Sequence, residues 1–444
     1  MKSFFDNELL INNKIGLELY NSVKELPIID YHCHLNEKEI ESDNNFKTIT
    51  ELWLAHDHYK WRVMRSCGVD EKYITGDASD YDKFYAFASI MPKLMGNSVY
   101  YWAQLELKII FGVSEPLNKD SALRIYTHCN QMLKTISPRK LLNKFKVELL
   151  CTTDDPISPL QSHGTYDGIK VLPTFRPDVL FNLDDDYIEK LSKISNVQIV
   201  DIYSLKQALR NRIDYFISKG CKISDHGMDY LPGDDIDEEK ANDIFLRRNY
   251  ITDEERFSFF SHMMHFLAKV YKEKNIVMQL HFATFRNINT KKFQSIGRDS
   301  GFDVIRHETY SDRLAYFLDT LSKNDNLPKT ILYSLNSNAC KEIAVIAGSF
   351  DNVKLGPAWW LNDTRLGNRE MMEIIAEYST IGTFLGMLTD SRSFSSYVRF
   401  DFFRRILADL VGEYVERGEF DKDSAFQLMQ DVCYNNIKNF LDGT

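Results

Sequence analysis

Eight short apolar segments, each followed by polar residues, limit the fold of this chain more than any other feature. Stretches with the apolar spacing of amphipathic helices separate most of them. Strands that alternate with helices are typical of an α/β fold with parallel strands, and eight such units predict a (β/α)8 TIM barrel, distorted by an insertion. The segments are 28–34, 147–153, 169–175, 221–224, 276–280, 330–335, 353–357 and 383–388.

The helices predicted between and after the later strands cover 186–194, 204–218, 252–274, 310–322, 339–347, 368–378, 403–417 and 423–441. A doubly wound sheet is the alternative α/β fold. For its usual ligands it would need a glycine-rich phosphate- or nucleotide-binding loop after a strand. The sequence contains neither GxGxxG nor GxxxxGK[ST]. The barrel is therefore the fold that we expect.

Residues 36–145 interrupt the alternation and contain no strand-like pattern. Helices are predicted here over 49–60, 80–92, 100–111, 120–137 and 138–145. No linker rich in Pro, Gly or Ser flanks this stretch, so we interpret it as a mostly helical insertion after strand one. Three parts follow: 1–35 (an entry helix over 8–25 and barrel strand one), 36–145 (the insertion) and 146–444 (the remaining barrel with C-terminal helices).

Charge and composition exclude several classes of function. The net charge of −10 argues against a general nucleic-acid or anionic-membrane surface. No apolar run approaches the roughly 20 residues that span a bilayer, and residues 1–7 are unlike a secretory signal. The seven scattered cysteines read as reduced thiols. We therefore expect a cytoplasmic protein without nucleic-acid or membrane partners, whereas the sequence leaves open whether it forms a homo-oligomer.

His32 and His34 end the first apolar run. Because side chains alternate along an extended strand, both imidazoles are expected on one face, where they could bind one divalent cation. His-X-His is a weak motif alone, and two surface histidines are the simpler interpretation.

The chain supplies a third candidate ligand, Asp390, at the end of strand eight. Strand eight neighbours strand one in a closed barrel, so Asp390 would lie beside the two histidines. The other interpretation of Asp390 is a helix N-cap. His281, at the end of strand five, is either a further ligand or substrate contact or a structural histidine. One divalent metal is the economical prediction, with Zn²⁺ favoured and Mn²⁺ left open.

Arg176 and Arg392 follow strands three and eight. Arginine at a barrel mouth, in a chain of negative net charge, predicts a substrate with a carboxylate or phosphate. The alternative for Arg176 is an ion pair with Asp178 or Asp155. His58 and Tyr59, in the insertion, are candidate acid–base groups if that segment covers the mouth; on spacing alone they are as typical of a helix surface.

Eight sequence motifs are spread from the first strand to the last helix: DYHCH (30–34), DHYKWR (57–62), ITGD (74–77), CTTDDP (151–156), LPTFRPD (172–178), SDHG (224–227), GMLTDSRSF (386–394) and CYNN (433–436). Together they resemble the uronate isomerases (glucuronate isomerase), a branch of the amidohydrolase superfamily. The resemblance covers essentially the whole chain.

The resemblance implies an aldose–ketose isomerase of hexuronate catabolism, which interconverts D-glucuronate with D-fructuronate and D-galacturonate with D-tagaturonate. It implies one metal, usually zinc, and the family's ligands carry over to His32, His34 and Asp390. The substrate-contacting groups that it implies are His58, Tyr59, Arg176, Asp225, His281, Trp360 and Arg392.

Such an isomerase moves a proton between C2 and C1, so it needs proton-transfer groups and a clamp on the sugar carboxylate. We expect Asp390 to shuttle protons near the metal, with Tyr59 and His58 assisting. Arg176 and Arg392 would supply positive charge. Which residue abstracts the C2 proton is left open. Two alternatives remain: a metal-dependent hydrolase on the same barrel, and a non-catalytic protein that binds sugar acids.

Overall fold

The computed structural model describes residue 4 and residues 6–307 and 311–443. The strands are β1 (Ile28–Asp30), β2 (Val147–Cys151), β3 (Gly164–Tyr166), β4 (Ile169–Leu172), β5 (Ile223–Gly227), β6 (Val277–Phe282), β7 (Thr284–Phe285), β8 (Val304–Ile305), β9 (Thr330–Ser334) and β10 (Val353–Leu355).

Nineteen α-helices are assigned within the described residues. They are α1 (Lys14–Val23), α2 (Glu37–Ser42), α3 (Ile49–Leu54), α4 (His58–Ser66), α5 (Asp80–Ile90), α6 (Ser98–Phe111), α7 (Ala122–Leu133), α8 (Pro138–Lys144), α9 (Asp185–Ser195), α10 (Ile202–Ser218), α11 (Glu238–Leu246), α12 (Asp253–Lys274), α13 (Thr290–Ile296), α14 (Ser311–Lys323), α15 (Cys340–Ala347), α16 (Arg365–Tyr378), α17 (Val398–Glu416), α18 (Lys422–Gln430) and α19 (Asn436–Asp442).

Seven parallel strands follow one another in chain order. Two four-stranded sheets have the orders β1-β2-β4-β3 and β10-β9-β6-β5, and β3 is the antiparallel member of the first; β7 and β8 form a separate two-stranded sheet. Phe175 bridges to Asp154 on one side and to Ser224 on the other, which joins the two sheets. The parallel strands and the helices between them confirm the predicted α/β class. They also bring the polar ends of β1, β2, β4, β5 and β6 to the same side of the sheets.

The predicted eighth strand, 383–388, is wrong as a regular strand. Residues Ile381–Thr383 form a 3-10 turn, and the chain to Asp390 has no ladder pairing. Gly386 has φ of 72°, and a Cβ there would lie 2.2 Å from the carbonyl oxygen of Val432. A positive φ breaks the pleat of a strand, and the Gly386 carbonyl instead accepts a hydrogen bond from the Tyr31 hydroxyl (3.0 Å). The end of this segment nevertheless pairs beside β1, because the Asp390 N–H donates to the His32 carbonyl (3.1 Å).

The described residues 36–145 are helical and contain no strand, as predicted. The helix predicted over 49–60 is two helices, α3 and α4, because Asp57 caps the second. Its carboxylate accepts hydrogen bonds from the N–H groups of Tyr59 and Lys60. This cap places His58 and Tyr59 in the first turn of α4.

The helices α2, α11 and α13 and the short strands β3, β7 and β8 were not predicted. Tyr310, the first residue of the helix predicted over 310–322, lies outside the described residues, and α14 is assigned from Ser311. Helices α1 and α17 pack closely where Gly16 and Gly412 meet, since a Cβ at Gly412 would lie 2.5 Å from the Gly16 nitrogen.

In the part of the chain that the structure describes, no helix combines the length and apolarity required to cross a membrane.

Candidate active site

Three of the predicted ligand atoms meet at one point. The Nε2 atoms of His32 and His34 lie 3.3 and 3.1 Å from the same oxygen, Oδ1 of Asp390. The two rings are nearly perpendicular, with centroids 5.1 Å apart. Two imidazoles that converge on one carboxylate oxygen from different directions form a donor set that suits a single divalent cation.

The backbone around Asp390 is held in an unusual conformation. Asp390 has φ of 44°, in the left-handed region that few residues other than glycine adopt. Its neighbour Thr389 donates from both its N–H (2.9 Å) and its hydroxyl (2.6 Å) to the carboxylate of Asp30 in β1. Asp30 thus fixes the segment that carries Asp390, a role that the sequence analysis did not foresee.

Electrostatics at this corner favour a bound cation. Burial lowers the pKa of His34 to about 4, so its imidazole is neutral near pH 7 and offers a lone pair. Burial alone would also lower the pKa of His32, but Asp225 and Asp390 outweigh it and raise that pKa. For Asp390, hydrogen bonds from both histidines outweigh burial and hold the pKa well below its usual value. The carboxylate is therefore ionised.

A second acidic cluster lies beneath the first. Asp225, fully buried in β5, accepts a hydrogen bond from Nδ1 of His281 (2.6 Å) and pairs with Nη1 of Arg176 (2.9 Å). Nδ1 of His32 is 3.8 Å from its other oxygen. Burial raises the pKa of Asp225, but Arg176, His281 and His32 more than compensate and hold it well below its ordinary value.

Arg176 has the ion pair that the sequence analysis gave as an alternative. Its Nε lies 2.7 Å from Asp178, whose carboxylate also accepts from the Gly227 N–H (3.0 Å). Arg392 differs, because its carboxylate partner is the exposed Asp299 at 3.2 Å. Its Nη1 lies 3.5 Å from Nδ1 of His58. Both arginines border the site, but Arg392 is the less constrained.

The helical insertion contributes one wall of the site. The rings of His58 and Tyr59 stack with centroids 4.7 Å apart, and Trp360 meets His58 edge-on at 5.8 Å. Burial, together with Arg392, lowers the pKa of His58 to about 4. The imidazole of His58 is therefore neutral near pH 7 and able to accept a proton.

Most of the predicted site residues share one cavity of about 300 Å³. Tyr59 lines instead a neighbouring cavity of about 660 Å³, which shares Trp360 with the first. Asp225 has no exposed surface and reaches the cavity through His281 and Arg176. The predicted residues that line the smaller cavity are His32, His34, His58, Arg176, His281, Trp360, Asp390 and Arg392.

Several lining residues lie outside the predicted site, and for one of them, Arg286, the sequence offers two interpretations, an additional positive charge or a solvated side chain. Asp299 follows α13 and Arg286 follows β7, in a long connection whose fold the sequence pattern did not define. Arg286 and Trp359 add a cation and an aromatic face, and Trp359 packs edge-on against His281 at 4.5 Å. Asp154 and Asp155 also line the cavity; their place directly after β2 was the signal that could have identified them.

The surroundings of Asp390 and His281 distinguish between the interpretations that the sequence allows for each. No helix begins directly after Asp390, since the next element is the 3-10 turn Phe394–Tyr397 preceded by Ser393. Its carboxylate faces the two histidines instead of serving as an N-cap. His281 is stacked on Tyr333 with centroids 4.1 Å apart and is hydrogen-bonded to Asp225. Its position is therefore structural as well as adjacent to the cavity.

The residues present fit a single divalent metal. Nitrogen and oxygen atoms of His32, His34 and Asp390 lie within 4.8 Å of one another, close enough to share one ion. The same holds for His32, Asp225 and His281, but there Arg176 already supplies positive charge to the carboxylate. The first set is the better candidate, because histidine alone contacts its carboxylate among the described residues.

The model of the family described as glucuronate isomerase matches residues 1–441. The chain belongs to this family. It is 42% identical to the uronate isomerase of Caldicellulosiruptor bescii, over 99% of this chain and 100% of that protein. It is 43% identical to the uronate isomerase of Caldanaerobacter subterraneus, with the same coverage.

Solved structures of family members agree with the fold described above. The uronate isomerase of Thermotoga maritima superposes with a TM-score of 0.96 at 33% identity, covering 99% of this chain and 100% of that one. The glucuronate isomerase of Caulobacter crescentus gives 0.93 at 28% identity, covering 98% and 96%. The resemblance found in the sequence motifs is confirmed, and the chain is an isomerase enzyme that acts on a sugar acid.

Proposed function

We propose that this enzyme interconverts D-glucuronate with D-fructuronate, and D-galacturonate with D-tagaturonate, at a mononuclear metal site in hexuronate catabolism. One observation carries the proposal: in a member of the glucuronate isomerase family, His32, His34 and Asp390 converge beside an arginine-lined cavity. The donor set suits a metal, and the arginines suit the carboxylate of the sugar.

We further propose that the two sheets belong to one distorted (β/α)8 barrel. The bridges at Phe175 and the hydrogen bond from Asp390 to His32 support closure on two sides. The division into 1–35, 36–145 and 146–444, the cytoplasmic location and a possible homo-oligomer remain predictions from the sequence.

The metal, which we propose to be Zn²⁺, would be held by His32, His34 and Asp390. When bound, such an ion supplies positive charge that stabilises oxygen anions of the substrate. The chain's own groups would orient the sugar. Arg392 and Arg176 would attract its carboxylate, and His281, Trp360 and His58 would contact it along the cavity wall. Asp225 would act through Arg176 and His281, because it has no exposed surface.

The catalytic groups in this proposal are Asp390, His58 and Tyr59, which transfer protons, and Arg392. Asp390 is ionised and His58 is neutral near pH 7, so both can accept a proton. Burial raises the pKa of Tyr59 well above its usual value, so its hydroxyl can donate but does not ionise near pH 7. Arg392, beside His58, would stabilise negative charge that develops on the substrate.

The first experiment tests the overall activity. Purified protein is incubated with D-glucuronate, and ketose formation is followed with and without a chelator. We expect turnover that the chelator abolishes and Zn²⁺ restores. Hydrolysis of esters, lactones or amides without uronate turnover would favour the hydrolase alternative, and binding without turnover would favour the non-catalytic one.

A second experiment assigns the proton-transfer groups. Exchange of the C2 proton in D₂O is measured for Tyr59→Phe and Asp390→Asn. We expect at least one variant to exchange slowly, because general acid–base groups contribute about 100-fold to 10,000-fold in rate. If both variants exchange at the wild-type rate, these roles are wrong.

A further inference from the structure

Arg399, in helix α17, is a fully buried arginine outside the cavity but in contact with three of its supporting segments. It is 1% exposed and does not line the cavity. Burying a guanidinium is costly unless its charge and its N–H groups are satisfied. Its partners therefore show what this position requires.

The first partner is the peptide unit that precedes Asp390. Nη1 of Arg399 donates to the carbonyl oxygen of Thr389 (2.9 Å). The N–H of the same peptide unit, which belongs to Asp390, donates to the carbonyl of His32 (3.1 Å). Both polar atoms of this peptide are thus fixed, one by α17 and one by the chain after β1. The orientation of this peptide and the strained φ of Asp390 together determine where the Asp390 side chain points, which is towards the two histidines.

The second and third partners are aromatic rings of the insertion. The guanidinium carbon lies 4.6 Å from the ring centroid of Tyr59 and 4.0 Å from that of Trp102. Cation–π contact with desolvated rings is favourable. Because Tyr59 stacks on His58, the same guanidinium holds the wall of the cavity that the insertion provides.

The fourth partner comes from the segment that carries Trp360. Oδ2 of Asp363 lies 3.6 Å from Nη1 of Arg399, and the Asp363 N–H donates to the Trp360 carbonyl (3.0 Å). Trp360 itself has φ of 49°. One side chain therefore connects the segments of Asp390, of His58 and Tyr59, and of Trp360.

We propose that Arg399 is a positioning residue, which fixes the Asp390 carboxylate relative to the insertion wall through the Thr389 peptide. The inference rests on the proposed function, because it assigns a ligand role to Asp390. Substitution of Arg399 should therefore change metal affinity and kcat more than other properties. Mutation of a residue that positions a metal ligand commonly lowers metal affinity or activity by about 10-fold to 100-fold.

The test uses Arg399→Lys and Arg399→Met with a matched control on the same helix. Lysine keeps the charge but loses the planar fork, and methionine removes both the charge and the donors. The control is Arg404→Lys, since Arg404 is 3% exposed and donates to the carbonyls of Lys24, Leu26 and Pro27, away from the cavity. Each lysine variant loses guanidinium hydrogen bonding to backbone carbonyls at a buried position: one bond at Arg399 and three at Arg404.

Four quantities are measured: the melting temperature, the Zn²⁺ affinity by competition with a chelator, and kcat and KM for D-glucuronate. For Arg399→Lys we expect Zn²⁺ affinity and kcat each to fall about 10-fold or more, with KM changed less. Arg404→Lys should lower the melting temperature to a similar degree and leave Zn²⁺ affinity within about twofold of wild type, because its contacts lie elsewhere.

Equal Zn²⁺ affinity in Arg399→Lys and Arg404→Lys would overturn the proposal, as would wild-type affinity and kcat in Arg399→Lys. If Arg399→Met does not fold, the lysine pair still decides the outcome. Failure of the proposed function is distinguishable, because wild-type protein would then show no uronate turnover while the Zn²⁺ affinities still test the role of Arg399.

Discussion

Asp390 and Asp225 face different nitrogens of the same imidazole, that of His32, yet their surroundings differ in the source of positive charge. Asp390 meets Nε2 of His32 and of His34, and in the described part of the chain no lysine or arginine pairs with it. Asp225 is paired with Arg176 and hydrogen-bonded to His281. A buried carboxylate without an arginine or lysine partner can take its positive charge from a bound cation, whereas one paired with an arginine already has it. The comparison therefore separates a metal-binding corner from a structural one.

The largest expected effect comes from the metal-binding corner. Asp390→Asn should lower kcat by about 10,000-fold, the upper end for a proton-transfer group, because a ligand is lost as well. The fold should persist, since within the described residues the ion pairs of this carboxylate are with His32 and His34 alone. Steady-state assays with a parallel Zn²⁺ determination check this. Asp243→Asn, an exposed carboxylate paired with Arg247, is the control and should retain full activity.

Substitution of Asp225, in the structural corner, should lower stability. Asp225→Asn leaves Arg176 and His281 without their buried partner and should reduce the free energy of unfolding by about 4 kcal/mol. Urea unfolding measures this. Zn²⁺ affinity should change much less than in Asp390→Asn. The reverse pattern, with lost Zn²⁺ binding and unchanged stability, would mean that the two corners have been assigned the wrong way round.

Acid should lower the free energy of unfolding through His226, the residue that follows Asp225 in β5. Burial lowers the pKa of His226 to about 4, below its ordinary value of 6.5. The unfolded chain therefore binds a proton between these pH values while the folded chain does not. The contribution of His226 to the free energy of unfolding is complete above pH 6.5. It declines by up to about 3 kcal/mol as the pH falls towards 4.

The variant His226→Gln cannot gain this proton, so its unfolding free energy should fall less than that of wild type between pH 7 and pH 4.5. Urea unfolding at both pH values provides the comparison. His56→Gln, at an exposed position, should follow the wild-type profile. Parallel profiles for His226→Gln and wild type would contradict the expected burial effect.

The smallest expected effect separates the two arginines. Arg392→Gln should raise KM for the hexuronate by about 30-fold, equivalent to about 2 kcal/mol for a charge-assisted hydrogen bond. Arg176→Gln should mainly lower stability, because Arg176 is paired with Asp178 and Asp225. A large KM increase confined to Arg176→Gln would show that Arg176, and not Arg392, binds the carboxylate of the sugar.

Much of this site could be predicted from the sequence because strand ends collect on one side of a parallel sheet. That rule brought His32, Arg176 and His281 to one cavity, and the resemblance to a family added His58 and Trp360. The rule cannot describe irregular backbone. Gly386 turns the last segment away from a regular strand through a positive φ, which no apolar pattern reveals.

The supporting residues were harder to predict for a related reason. Asp30 and Arg399 act through backbone groups of Thr389, and a hydrogen bond to a distant carbonyl leaves no periodic signal. Tyr59 and Asp225 follow from the motifs as residue types, but their burial and their exact neighbours depend on how the insertion packs. Local patterns define elements, whereas these contacts arise only from the assembled chain.

The bond between Thr389 and Asp30 spans 359 positions of the sequence. During synthesis, His32 and His34 leave the ribosome long before Asp390 exists. Contacts of such long range form late, after the intervening elements have folded. The complete ligand set is therefore available only once nearly the whole chain has been made. Metal loading in this protein should complete folding and not initiate it.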